Sequence, residues 1–395
     1  MIGNNIANAN TVGFKSSTAQ FADMYANSVA TSTNTQIGIG TRLNSVEQNF
    51  GQGGITTTNS SLDVAINGNG FFQMSNNGVT TYSRDGTFQR DKNGFIVDSQ
   101  GRNLMGYAAN AGGVINTAQT VPLQAPTTNL APTATTKISA QFNLNSQDTV
   151  PTKTPFNATD NTTYNYSTSI QVYDSLGGSQ AVNMYFVKSA AGTWEAYAGV
   201  QGGATNDLGT VTFNSSGAIQ STTTGTPATP TTSLGQFQFT VPNTDGSATP
   251  QNLTLDLTGT TQYGGKDGVN NLAQDGFASG TLTTYTIGTD GKLTGNYSNG
   301  QTSVLGQIAL ANFNNPNGLV NLGGNQYAES SASGVPQISA PGSTNHGTLQ
   351  GSALESSNVD LTSQLVNLIT AQRNYQANAQ TIKTQQTVDQ TLINL

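Results

Sequence analysis

The chain has 395 residues, of which only 8% are charged, far below the roughly 25% of ordinary globular proteins. Thirteen basic residues against 20 acidic ones leave a net charge of −7 and no cysteine is present. This excludes the clustered basic surface that nucleic acid demands, a disulfide framework and a thiolate metal site. Forty-five glycines, with abundant Thr, Ser and Asn, stand in place of charge. Such a surface is polar but nearly uncharged, and identical copies pack on it without strong like-charge repulsion.

The N-terminus, MIGNNIANANTVGFK, has neither a basic n-region nor an apolar h-region, so it is not a cleaved secretory signal. A protein with this start that acts outside the cell needs another export route. Residues Ser16 to Asn27, SSTAQFADMYAN, are the one helical candidate near this end, because Phe21 and Tyr25 are four apart.

From about Gly51 to Ala340 short alternating segments recur: SIQVYDS, AVNMYFVKS, GQFQFTVPN and QNLTLDLTG. Each is bounded by turn residues, which predicts β-sandwiches or barrels. Asn93-Gly94, Asp245-Gly246 and Asp290-Gly291 are hairpin signals. Gly68 and Gly70 in INGNGFF resemble part of a dinucleotide loop. Gln73 occupies the third glycine position and no helix start follows, so the segment reads as a turn. Asp85, Asp91 and Asp98 lie close together, but Ile96 stands where a calcium loop needs glycine; they read as turn residues. Two Thr/Pro/Ala-rich stretches begin at Thr120 and Ser221, the first a path between domains and the second an exposed loop. The single histidine, His346, sits in a Gly-flanked loop without partners for a triad or a zinc site. No cofactor, metal or catalytic group is expected, and no stretch approaches the ~18 apolar residues of a membrane helix.

From Asp360 to Leu395 there is neither Gly nor Pro. Leu361, Leu365, Leu368, Gln372, Tyr375, Ala379, Ile382, Gln386, Asp389 and Ile393 alternate spacings of four and three, a heptad seam diluted by polar members. Ser357 and Asp360 form an S-x-x-D start signal. Such a seam needs partner helices. The plainer alternative is a helix docked on its own domain, against which no second long helix appears in the sequence.

Four blocks, in order, resemble the rod and hook family of flagellar axial proteins: NNIANANTVGFK (Asn4 to Lys15), SLDVAINGNGFF (Ser61 to Phe72), YSRDGTFQRDKNGFIVDSQGRNLMGY (Tyr82 to Tyr107) and ALESSNVDLTSQLVNLITAQRNYQANAQTIKTQQ (Ala353 to Gln386). The stretches NLNSQDTVPTKTPF, QVYDSLGGSQAVNMYFVK and GNYSNGQTSVLGQIALANF are similar to the hook members.

The resemblance implies a mainly β chain with terminal helices, in which an outer β-domain is nested within an inner one. The expected parts are 1–28 in a terminal helical domain, 29–52 a linker, 53–141 with 283–345 an inner β-domain, 142–282 an outer β-domain, and 346–395 a linker and heptad helix. It implies no enzyme but a structural subunit: a homo-oligomer that builds an extracellular, flexible, curved tube passing torque from rod to filament. Its implied partners are rod, hook-cap, hook–filament junction and flagellar export proteins, without nucleic acid or membrane insertion. Asn4, Asn5, Ala7, Asn8, Phe14, Leu361, Leu365, Leu368, Tyr375 and Ile382 are the expected assembly residues. In that family a heptad helix precedes the NNIANAN block, so the chain is expected to lack its first turns. A distal rod protein is the nearest rival reading. An extracellular adhesin or a polysaccharide-degrading enzyme are more distant ones, the first rarely ending in a heptad helix and the second needing a carboxylate pair in a cleft.

Overall fold

A computed structural model describes residues 1–25, 38–110, 112–224, 229–230 and 233–393. Met1–Thr127, Leu282–Asn296 and Thr302–Leu395 form one unit, and Thr128–Thr281 with Tyr297–Gln301 form a second. The chain therefore leaves the first unit inside the Thr/Pro-rich stretch that begins at Thr120. The strand Lys137–Asn145 lies wholly in the second unit. An entry at residue 142 would cut that strand in half.

In the first unit, strands run in spatial order Leu282–Ile287, Lys292–Tyr297, Thr302–Ile308, Asn103–Ala108, Phe71–Asn76, Val79–Ser83, Gln326–Ala328 and Val320–Gly323. Residues from both sides of the second unit thus meet in one sheet. Its core gathers Val64, Ile66, Phe72, Met74, Leu104 and Ile308, all buried. A second cluster is aromatic: Phe71, Tyr82, Phe313 and Tyr327, with Phe50 packed edge-on against Phe71 and Tyr327. Gly86 is needed for contact, not for its φ angle. A Cβ there would lie 1.7 Å from the Val64 carbonyl oxygen, which sits in a strand of this core. The Asn93-Gly94 and Asp290-Gly291 signals both fall between paired strands, with Gly94 and Gly291 at positive φ.

Two sheets make the second unit. One holds Gln236–Val241, Gln251–Asp256, Lys137–Asn145, Thr261–Tyr263 and Gly268–Gln274; the other runs from Tyr166–Tyr173 through Ser179–Ala190, Thr193–Val200 and Thr205–Phe213 to Ile219–Thr224 and Thr229–Pro230. The period of two decides which residues turn inward. Ile138, Ala140, Phe142 and Leu144 meet Val182, Met184, Phe186 and Trp194 in one buried cluster. Burying such side chains contributes about 1.5–3 kcal/mol each. The Asp245-Gly246 turn joins two antiparallel strands here. The stretch from Ser221 lies partly outside the described residues.

One ion pair ties neighbouring strands of this unit. Burial alone would raise the Asp256 pKa. The Lys137 ammonium at 2.8 Å, with the hydroxyl and amide of Thr258, outweighs burial and holds the carboxyl down at about 2. A carboxylate depressed in the folded state contributes stability above its unfolded pKa, lost as pH falls through the folded value. Because Lys137 is half exposed, about 1–2 kcal/mol is expected to go between pH 4 and 2. Calorimetry at the two pH values checks this: Asp256→Asn should melt lower at pH 4.5 and lose the acid slope.

Two expectations near the N-terminus are corrected. The helix begins at once, as α1 (Ile2–Ala7), but the stretch expected to be helical from Ser16 forms a strand, β1 (Ser17–Tyr25). The expected linker contains a second strand, β2 (Gly38–Gln48), and the two pair as an antiparallel ribbon. Residues 26 and 27 of the expected helix lie outside the described residues. Residues four apart are compatible with one face of a strand as well as of a helix, and the cross-strand partner decides between the two.

Candidate assembly surfaces

The C-terminal helix, α2 (Leu361–Ile393), has 33 residues and buries none of them. It is about 50 Å long. The Asp360 carboxylate caps it, accepting from the amides of Thr362 (2.9 Å) and Ser363 (3.2 Å). Ser357 is not the cap; its hydroxyl accepts from the Val359 amide in the preceding turn. Asp360→Ala is expected to loosen the start of the helix and to speed amide exchange in the first turn, measured by NMR.

The expected seam residues lie along α2 as spaced. Leu361, Leu365, Tyr375 and Ile382 are 44–78% exposed and Leu368 is half-buried. A strict seven-residue repeat drifts by about 20° per heptad on a straight helix, so this stripe winds around α2. Threonine hydroxyls on α2 are satisfied internally: Thr370, Thr381, Thr384 and Thr387 each donate to the carbonyl four residues back at 2.9–3.0 Å. Those four hydroxyls leave no unpaired donor to desolvate on assembly. Isolated helices of this composition are marginal in water, and α2 carries an apolar stripe that the described residues leave uncovered.

Near the base of α2 lies α1. The structure separates the expected N-terminal residues. Asn4 and Ala7 are exposed, Asn8 and Phe14 are half-buried, and the Asn8 amide donates to the Asn4 carbonyl and side-chain oxygens. Asn5 is 2% exposed and serves as an internal tie, not a surface residue. Its amide donates to the Ser17 carbonyl at 2.9 Å and to Gln364 Oε1 at 3.3 Å, and its oxygen accepts from the Ser17 amide. Asn4, Asn8 and Phe14 line one polar cleft of about 450 Å³ with Gln48, Asp85 and Asn325.

The ribbon offers a further apolar face. Ala19 stands opposite Val46 and Phe21 opposite Leu43; Phe21, Leu43 and Val46 are all at least half exposed. Sequence reading missed this surface because it missed the strand.

It also missed a buried charge cluster. Glu355, 1% exposed, accepts from Lys15 Nζ at 2.7 Å, Arg84 Nη1 at 3.2 Å and the Gly53 amide at 2.8 Å. Lys15 donates also to the Gly51 carbonyl and Arg84 to that of Gly68, both at 2.9 Å. Burial lowers the Lys15 pKa, and the Arg84 charge lowers it further against the pull of Glu355. Desolvation also lowers that of Arg84, with Glu355 opposing. The signal that could have found them is three charged residues inside the GFK, SRDG and ALESSN blocks of a chain so poor in charge.

The turn readings hold. Asp91 accepts from the Asn93 and Phe95 amides and Asp98 from those of Gln100 and Arg102. His346 lies in a loop, its ring nitrogens 3.0 and 2.9 Å from the Thr344 and Gln337 carbonyls. Among the described residues no His/Asp/Glu group suited to a metal occurs, and no helix is long and apolar enough to cross a membrane.

Among the described residues, α2 buries none of its 33 side chains and the ribbon exposes Phe21, Leu43 and Val46, surfaces that suit a subunit of a larger assembly. Comparison says which. Family models match in chain order: flagella basal body rod protein over residues 1–15, flagellar hook protein FlgE/F/G D1 domain over 65–143, flagellar basal body protein FlaE D2 domain over 143–277, and flagellar basal body rod FlgEFG protein C-terminal over 350–395. The flagellar hook protein FlgE of Salmonella typhimurium is 42% identical over 406 residues, covering all of this chain and 95% of that protein. The hook protein FlgE of Escherichia coli K12 is 41% identical with the same coverage. The crystal structure of Helicobacter pylori flagellar hook protein FlgE2 matches 76% of this chain and all of that one, at a TM-score of 0.52 and 15% identity, a likeness of fold. The chain belongs to the flagellar hook protein FlgE family.

Proposed function

We propose that this hook subunit polymerises through its terminal elements into a flexible, curved, extracellular tube that passes torque from rod to filament. The observation that carries this is α2, 33 residues long with no buried side chain and a winding heptad stripe. A structure repeated by a screw operation covers such a stripe with copies of itself in an open helical array. Asn4, Ala7, Asn8, Phe14, Leu361, Leu365, Leu368, Tyr375 and Ile382 supply the contacts near the axis. The first β-unit is the inner domain and the second an outer domain inserted into it. With only 8% charged residues, contacts between outer domains break few salt bridges when they slide, so bending the tube is cheap. The subunit catalyses nothing, and its further partners are the rod, the hook cap, the hook–filament junction and the flagellar export proteins.

Electron microscopy of the purified chain across a concentration series tests the reading. Curved tubes are the expected result. Isolated particles at every concentration would overturn it.

A further inference from the structure

Besides the packing of Phe50 on Phe71 and Tyr327, a small buried cluster ties the segments leading to α1, the ribbon and α2 to the first β-unit. Glu355 lies in the strand Ala353–Glu355, five residues before the Asp360 cap of α2. Its carboxylate reaches Lys15, at the start of the ribbon; the Gly53 amide, just after the ribbon; and Arg84, which belongs to the inner sheet region and stacks 5.3 Å over the Phe71 ring. Its carbonyl accepts from the Gly13 amide at 2.8 Å, at the end of the segment that follows α1. Three residues on, Asn358 repeats the pattern. Its oxygen accepts from the Ser16 amide at 2.8 Å and its amide donates to the carbonyls of Asn49 (2.7 Å) and Gly51 (3.0 Å). Four segments, far apart in sequence, meet at two side chains.

The approach is too close for substitution nearby. A Cβ on Gly53 would lie 1.9 Å from the Ser356 carbonyl oxygen, and one on Gly13, at φ +68°, 2.7 Å from the Arg84 backbone. Buried ion pairs add little net stability against an apolar replacement, but the hydrogen bonds they make fix geometry. Two cations share one carboxylate, so the arrangement fails if any chain segment withdraws.

We propose that the Lys15–Glu355–Arg84 cluster is the joint that sets the direction in which α2 and the ribbon leave the inner β-unit, and through which force passes between them. Glu355 and Lys15 are positioning residues. They act on α2 through the segment 355–360, and both are buried within the chain. This rests on the reading of α2 as the assembly helix.

The chain has no cysteine, so paired spin labels go where they are placed. Val79→Cys, exposed on the inner sheet, and Asn367→Cys, exposed in the second turn of α2, report the distance between body and helix by double electron–electron resonance on the monomer. The parent should give one narrow distribution. Glu355→Gln, which keeps shape and removes the counter-charge, should broaden it at least about twofold while the β-melt persists. Lys15→Met should broaden it as well, and Lys15→Arg should restore the narrow form. An unchanged width in folded Glu355→Gln would overturn the proposal. If that variant fails to fold, Lys15→Met decides: an unchanged width overturns the proposal, and so does Lys15→Arg behaving like Lys15→Met. Because the measurement is made on monomers, its failure leaves tube formation untouched, and absent tubes leave the joint untouched.

Discussion

Ile382→Asp is expected to abolish tube formation while moving the monomer melting temperature by no more than about 1 °C. Ile382 is 61% exposed in the chain and lies in the middle of the winding stripe of α2. In the monomer the new carboxylate simply meets water. On assembly it must be desolvated against apolar side chains, at a cost of several kcal/mol per subunit interface. Repeated along a helical array, that penalty raises the critical concentration beyond practical reach. Sedimentation and calorimetry together check it. A large drop in monomer stability would mean that α2 packs on its own domain, the docked-helix alternative.

Phe142→Ala is the complementary case, with the loss confined to stability. Phe142 is fully buried between the two sheets of the second unit, edge-on to Phe186 at 5.2 Å and to Tyr166 at 5.9 Å. Truncating such a ring costs about 3–5 kcal/mol through lost transfer energy and the cavity left behind. In a unit of this size that corresponds to roughly 8–15 °C. Calorimetry should show one transition moving down while that of the first unit stays in place. Equal shifts of both transitions would show that the two cores melt as one.

The sequence was most legible where structure is local. Ile138, Ala140, Phe142 and Leu144 alternate with polar residues, and that period of two is a strand whatever lies around it. The run after Asp360 holds no Gly or Pro, and a 33-residue helix follows. The family blocks were also legible, because they are contiguous in sequence.

What could not be read depends on residues far apart. Phe21 and Tyr25 are compatible with a helix face and a strand face alike. The strand that settles the matter, Gly38–Gln48, begins thirteen residues after Tyr25 ends β1. Lys15 and Glu355 are 340 residues apart, so nothing in a local window pairs them. Of the expected assembly residues, Asn5 was misread for the same reason. Its partners, Ser17 and Gln364, come from a strand and from the opposite end of the chain.

The ribbon poses a chemical hazard that its own irregularities answer. Among the described residues, strands of nine and eleven residues pair only with each other, so both outer edges expose unpaired backbone. Long flat edges of this kind are templates for cross-β stacking, a hazard in any protein held as a concentrated monomer. Here the register slips between Gln20 and Phe21 and again between Met24 and Tyr25, twisting the ribbon out of flatness. Asp23, Arg42 and Glu47 place charge along its length. A straightened ribbon, with Asn44 deleted to remove the first slip, would lose half of this protection and gain a route to amyloid in competition with the tube.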